Sequence, residues 1–179
     1  MTPLDFHTHN LGADHAIINL PQAWLLHPSA FSPRNGALYS AGIHPWWTTS
    51  SADTEQMLQN LPALLAHPQV IAVGECGLDA LQGADLAEQE RLFIAQIQLA
   101  EQYKLPVTLH IVRAFDRLLR LHKQLHPTTQ WTVHGFRGKP ALAQQLLNAG
   151  FNLSFGRFYN QESWNITPPS RRFNESDAI

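Results

Sequence analysis

Histidines and carboxylates that close short apolar runs are the residues of this chain best suited to do chemistry. Asp5, His7 and His9 close the first run, His44 the third, Glu75 the fourth, His110 the fifth and His134 the sixth; a last short segment, 173–177, ends on Asp177. His7 and His9 are two positions apart, so on a strand both side chains project to the same side. Two neutral imidazoles placed that way can reach one ion at about 2.0–2.1 Å. A carboxylate such as Glu75 can bridge two ions, with His110 and His134 on the second and Asp177 completing the first. Two ions about 3.5–4 Å apart would activate a shared water and clamp the oxygens of a phosphoryl group. Each residue alone has a plainer reading: a histidine after a strand is more often a surface or capping residue, and Glu75 could simply lead into a helix. The joint pattern carries the metal reading, because so many ligand-type side chains stand at the ends of separate runs.

The elements that must position them alternate along the chain. Strand-like runs occupy 4–9, 16–20, 38–44, 70–75, 106–110, 131–134, 152–155 and 173–177. Helical spacing marks 85–104 through Phe93, Ile97 and Ala100, and 114–126 through Leu118, Leu121, His122 and Leu125. The stretch 49–67 reads as a helix capped by Ser50 or Ser51, and 139–148 as one with Pro140 in its first turn and Gly150 past its end. Residues 21–37, with several prolines and little periodicity, read as loop. Strand and helix in alternation is the pattern of parallel βα units. The nearly continuous apolar strands agree, since parallel strands are covered on both faces. An open doubly wound sheet would alternate too, but its glycine-rich turn after the first strand is missing and His-Thr-His stands there instead. The expected fold is therefore α/β, a TIM-type β/α barrel, whose strand ends converge on one mouth where active sites lie.

Composition narrows the class further. With 179 residues, 44% of them hydrophobic and 15% charged, the chain reads as one soluble globular domain rather than a disordered segment. A net charge of −2 argues against a general nucleic-acid coat protein, so any polyanion contact must come from a local patch. A single cysteine, Cys76, excludes a disulfide framework within the chain and a cysteine-rich zinc module, and fits a cytoplasmic location. Ten histidines favour an imidazole and carboxylate site. The opening MTPLDFHTHN lacks the character of a signal peptide, and no apolar run approaches the ~18–20 residues of a membrane span, so no membrane partner is expected.

Several motifs, in order, resemble those of a known family. Asp5-Phe6-His7-Thr8-His9, Gly42-Ile43-His44-Pro45, Gly74-Glu75-Cys76-Gly77-Leu78-Asp79, Leu105-Pro106-Val107 with His110, His134-Gly135-Phe136 and Glu175-Ser176-Asp177 are similar to the signature segments of the TatD metal-dependent hydrolases. The resemblance spans roughly residues 2–177 and implies a metallo-dependent hydrolase-like barrel holding two divalent ions, of Mg, Mn or Zn. It implies one metal at His7, His9, Glu75 and Asp177, and a second at Glu75, His110 and His134, with Glu75 bridging. It further implies that Glu75 and Asp177 are catalytic, Asp177 taking a proton from the attacking water, and that His44 lines the mouth against a substrate phosphate. Arg113 and Arg137 follow strand ends, as do Lys139 and Arg157, and can grip phosphates there or simply stand in water. Asp79 is expected to orient the loop or a ligand histidine.

The departures from the family shape the expectation. Trp46 follows His44-Pro45 where many members carry a second histidine; Trp46 and Trp47 can stack on a base or pack as ordinary aromatics. The first crossover helix is expected to be missing or vestigial. The chain ends at Ile179, two residues after Asp177, where the family continues with a helix packed onto the first strand. The whole chain, 1–179, is thus expected to be one compact barrel domain lacking its last helix, with the exposed wall covered by a partner or a second copy in a homodimer. Three functions follow: a phosphodiesterase acting on DNA, an amidohydrolase-like enzyme cleaving C–N or ester bonds, and a truncated, non-catalytic paralogue.

Overall fold

A computed structural model describes residues 4–178. Eight strands form one sheet in chain order: β1 (Asp5–Thr8), β2 (Ala16–Asn19), β3 (Leu38–Ala41), β4 (Val70–Asp79), β5 (Val107–Val112), β6 (Trp131–Val133), β7 (Asn152–Phe155) and β8 (Arg172–Asn174). Every neighbouring pair is parallel. Beyond β8 the chain runs back along β1: Asp177 N donates to His7 O at 3.0 Å, and His9 N donates to Ala178 O at 2.7 Å. Ser176 N adds a 2.9 Å bond to Asp5 Oδ1, and the rings of Phe6 and Phe173 stack at 4.6 Å. The sheet therefore curls into a nearly closed barrel, as the alternating sequence pattern predicts.

Among the described residues six α-helices accompany the strands: α1 (Gln22–Leu26), α2 (Ser51–Leu65), α3 (Leu86–Tyr103), α4 (Phe115–Leu125), α5 (Pro140–Asn148) and α6 (Gln161–Ile166). Local chemistry sets their ends. Ser50 accepts from Asp53 N to start α2, and Asp85 accepts from Glu88 N to start α3. Lys104 stops α3 in the left-handed region. The inward face of α3 carries Phe93, Ile97 and Ala100 onto β4, together with two buried glutamines, Gln89 and Gln96. The core between sheet and helices is filled by Trp131, Phe93, Phe151, Met57 and their aliphatic neighbours.

One expectation needs correction. Residues 21–37 are not all loop: they hold α1 and a 3-10 turn, Pro28–Ala30. Tertiary contacts create α1, since Leu25 is fully buried and the side chains of Gln56 and Asn60 on α2 donate to the carbonyls of Leu26 and Leu25, both at 2.9 Å. The short α6, capped by Asn160, was likewise not evident from periodicity. No helix joins β1 to β2, and residues 9–15 span the gap alone. Along the β1 and β8 side Leu4 is 46% exposed and Phe6 and Phe173 are half-buried. No helix among the described residues is long and apolar enough to cross a membrane.

Strand β4 is the longest and the least regular. Its register against β5 shifts between Val73 and Cys76, which re-aims the backbone around Glu75. Gly74 and Gly77 have φ of +142° and +146°, and a Cβ added at either would come within 2.4 Å of Thr108 O or 2.1 Å of His110 O. Only glycine permits this approach of β4 to β5.

Candidate metal centre

The bulge in β4 delivers Glu75 to the middle of the barrel mouth, where the residue is 2% exposed. Its backbone is held by Asn19 at the end of β2: Glu75 N donates to Asn19 Oδ1 at 2.7 Å, and Ser40 Oγ donates to the same oxygen at 3.2 Å. The two carboxylate oxygens then face different groups. Oε2 lies 3.2 Å from His7 Nε2 and 3.3 Å from His9 Nε2, and those two nitrogens are 3.3 Å apart. Asp177 Oδ1 completes this set, 3.7 Å from His7 Nε2 and 3.6 Å from His9 Nε2. Oε1 lies 3.0 Å from His44 Nε2, 2.9 Å from His110 Nδ1 and 2.8 Å from His134 Nε2. Five strands, β1 and β3 to β6, and the segment after β8 thus contribute to one constellation.

The first set fits a cation on its own geometry. Ligands about 2.0–2.1 Å from a tetrahedral ion are separated by roughly 3.3 Å, which matches the 3.2–3.3 Å spacing of His7 Nε2, His9 Nε2 and Glu75 Oε2. Glu75 Oε2 and His7 Nδ1 are buried without a hydrogen-bond partner. A buried carboxylate oxygen left unpaired costs free energy, and a positive ion between Oε2 and the facing imidazole nitrogens would remove that cost. Three groups of side chains can each converge on an ion: His7, His9 and Glu75; His7, His134 and Asp177; and His44, Glu75 and His110.

A second layer fixes the ring orientations. Asp79 Oδ2 lies 3.0 Å from His110 Nε2 and accepts a 2.7 Å bond from Trp46 Nε1. Glu175 Oε1 lies 3.1 Å from His134 Nδ1, and its other oxygen accepts from Ser154 Oγ. With one nitrogen of each ring engaged by a carboxylate, the other is turned toward Glu75, where it could ligate an ion. Asp79 is held in turn by Gln89, which accepts from Asp79 N at 2.7 Å and donates to the carbonyls of Asp79, Gln82 and Ala84.

Electrostatics follow from this packing. Burial alone would raise the Glu75 carboxyl, but His134, His110 and His44 around it hold it well below the usual carboxylate range. Burial opposes charge on His134, yet Glu75 and Glu175 on its two sides raise it well above an ordinary histidine. His9 is raised chiefly by its contact with Glu75. His44 is lowered because burial outweighs the same carboxylate.

The structure brings together His7, His9, Glu75, His110, His134 and Asp177. Asp177 is the most open of them, with a side chain 44% exposed. His44 lines the same cavity but lies deeper than a phosphate-facing residue at the rim, 6% exposed and against Glu75. Arg113 and Arg137 stand exposed on the wall of that cavity, which has a volume of about 800 Å³. Sequence reasoning missed Asn19 and Glu175 as supports. The signal available for both was a polar residue at a strand end or in a carboxylate motif, with no indication of what it would touch. Elsewhere, His122 packs against Trp131 and Phe151, and His67 accepts from Gln69 N. Cys76 is buried and its thiol is pushed up by burial, so it packs rather than reacts.

A β/α barrel with a histidine–carboxylate centre at its mouth is the class that fold and site together define. Residues 29–178 match the family model described as TatD related DNase, and the chain belongs to that family. It is 35% identical over 134 residues to a protein of Klebsiella pneumoniae named 3'-5' ssDNA/RNA exonuclease TatD, covering 74% of this chain and 50% of that protein. It is 37% identical over 129 residues to the Escherichia coli protein named uncharacterized metal-dependent hydrolase YjjV, covering 66% and 47%. The chain thus spans about half the length of the curated relatives it matches. The crystal structure of the Escherichia coli YjjV, a TatD homologue, superposes with a TM-score of 0.75 at 26% identity, over 98% of this chain and 78% of that one. A TatD family hydrolase from Entamoeba histolytica shares the fold, with a TM-score of 0.72 at 20% identity over 98% and 73%.

Proposed function

We propose that this chain hydrolyses phosphodiester bonds in single-stranded nucleic acid, using divalent ions held by His7, His9, Glu75, His110, His134 and Asp177. The observation that carries the reading is Glu75: one buried carboxylate with each oxygen facing its own group of imidazoles. His44 belongs to the ligand field around Oε1 rather than to the rim. The ions, of Mg, Mn or Zn, would supply an activated water and charge neutralisation on the phosphoryl oxygens. The protein's own groups do the rest. Asp177, beside His7 and His9 yet open to solvent, is placed to accept a proton from the attacking water at its carboxylate. Arg113 and Arg137 can bind the phosphate oxygens and orient the scissile group. Asp79 and Glu175 keep the rings of His110 and His134 in one orientation, so the centre need not reorganise on binding. The exonuclease name of the Klebsiella relative supports the substrate class.

One observation favours a second reading. Part of the cavity wall is apolar, with Ile111, Val112, Phe115 and Phe136, and would suit the acyl part of an amide or ester. The test is cleavage of a single-stranded DNA oligomer with Mg or Mn, EDTA as control, beside His110→Ala. Metal-dependent cleavage lost in the variant supports the nuclease. A folded, metal-loaded protein that leaves DNA and RNA intact but cleaves an amide or ester overturns it.

A further inference from the structure

Outside the centre, the loop between β7 and α6 presents an aromatic ring that nothing in the site's chemistry uses. Phe158 is 62% exposed, three residues past the mouth end of β7. Its neighbour Tyr159 is anchored against Phe155 at 5.9 Å and Trp164 at 6.3 Å. Phe158 instead has two guanidinium groups by its ring: Arg157 Cζ at 5.2 Å and Arg137 Cζ at 5.6 Å from the centroid. Arg137 also lines the cavity that contains Glu75, so one guanidinium group adjoins both the ring and the cavity.

An exposed phenylalanine flanked by arginines offers what an unpaired nucleotide needs. The ring face stacks on a base, and the guanidinium groups meet the adjoining phosphates. In a chain with a net charge of −2, such a local concentration of cations is the means of attracting a polyanion. We propose that Phe158, with Arg137 and Arg157, is a stacking platform for one base of a single-stranded polynucleotide whose scissile phosphate lies at Glu75. The platform rests on the nuclease reading. It predicts a preference for single strands, because a base inside a duplex has no free face to offer. It also requires little sequence specificity, since every base has such a face.

The experiment is equilibrium binding of a fluorescent phosphorothioate oligothymidylate to the Mn-loaded protein, compared with the same backbone carrying abasic residues. Wild type, Phe158→Ala and Phe158→Trp are measured, with thermal melting as the check on folding. The platform predicts that Phe158→Ala weakens binding about tenfold, the loss of a single stack, and that Phe158→Trp retains it. It predicts too that wild type binds the abasic strand as weakly as Phe158→Ala does, and that the variant no longer distinguishes the two strands. Wild type binding the normal strand with Phe158→Ala unchanged would overturn the platform and leave the nuclease reading standing. A wild-type protein that binds neither strand would overturn both.

Discussion

At the scale of single residues, the centre depends on orientation as much as on ligand identity. Trp46 shows this. It follows His44-Pro45 and supplies a polar hydrogen, donating from its indole nitrogen to Asp79, which engages His110. Trp46→Phe keeps the ring and removes that donor. The expected result is divalent-metal affinity reduced about tenfold, measured by calorimetric titration, with melting temperature little changed. Glu175→Gln should act in the same direction through His134. The residues that converge on Glu75 were legible in the sequence because each closes a short apolar run, and the C-terminal ends of such runs meet at the mouth of a barrel. Asn19, Glu175 and the depth of His44 were not, because they depend on which side chains face one another across the mouth, and spacing along one strand does not encode that.

At the scale of elements, β4 and α3 form the frame. Gly77→Ala would push a Cβ to 2.1 Å from His110 O and force β4 from β5. It should cost about 3 kcal/mol in denaturant unfolding and reduce metal binding with it. The two polar positions on the buried face of α3 were a readable irregularity: Gln89 holds the loop after β4, and Gln96 accepts from Ile43 N at 2.6 Å beside His44. Near the C-terminal end of α3, Glu101 ties the helix to the turn before β6 by accepting from the N–H and hydroxyl groups of Thr128 and Thr129. Burial would raise this carboxyl, but those donors hold it at about 2 against an ordinary 4.5. A lowered folded pKa means stability that is present above pH 4.5 and lost as the pH falls toward 2. Wild type should therefore lose more stability than Glu101→Gln over that range, and exceed it at neutral pH by about 1 kcal/mol. Helices α1 and α6 escaped sequence reading because each is short and held by partners from elsewhere in the chain.

At the scale of the whole molecule, the candidate metal centre spans the seam of the barrel. His7 and His9 lie on β1, Glu75 on β4, and Asp177 follows β8, so an ion among them would join both sides of the seam. An ion that binds only the folded chain raises stability by mass action, by about 2.7 kcal/mol at a hundredfold excess over its Kd. Chelation should accordingly lower the melting temperature, and Asp177→Ala should shrink that difference. The alternation that announced eight strands was the clearest message of the sequence, because each parallel strand needs apolar cover on two faces. Phe6 and Phe173 are half-buried and Leu4 is exposed on the side of β1 and β8.

The central claim is that Glu75 holds two groups of ligands together around divalent ions, and counting those ions tests it most directly. Purified protein would be stripped with chelator, reloaded with Mn or Zn, and its bound metal measured by elemental analysis beside Glu75→Gln. The account predicts two ions per chain in the wild type and at most one, weakly held, in the variant. A folded wild type that retains no metal, or a Glu75→Gln variant that binds as many ions as tightly, would contradict it.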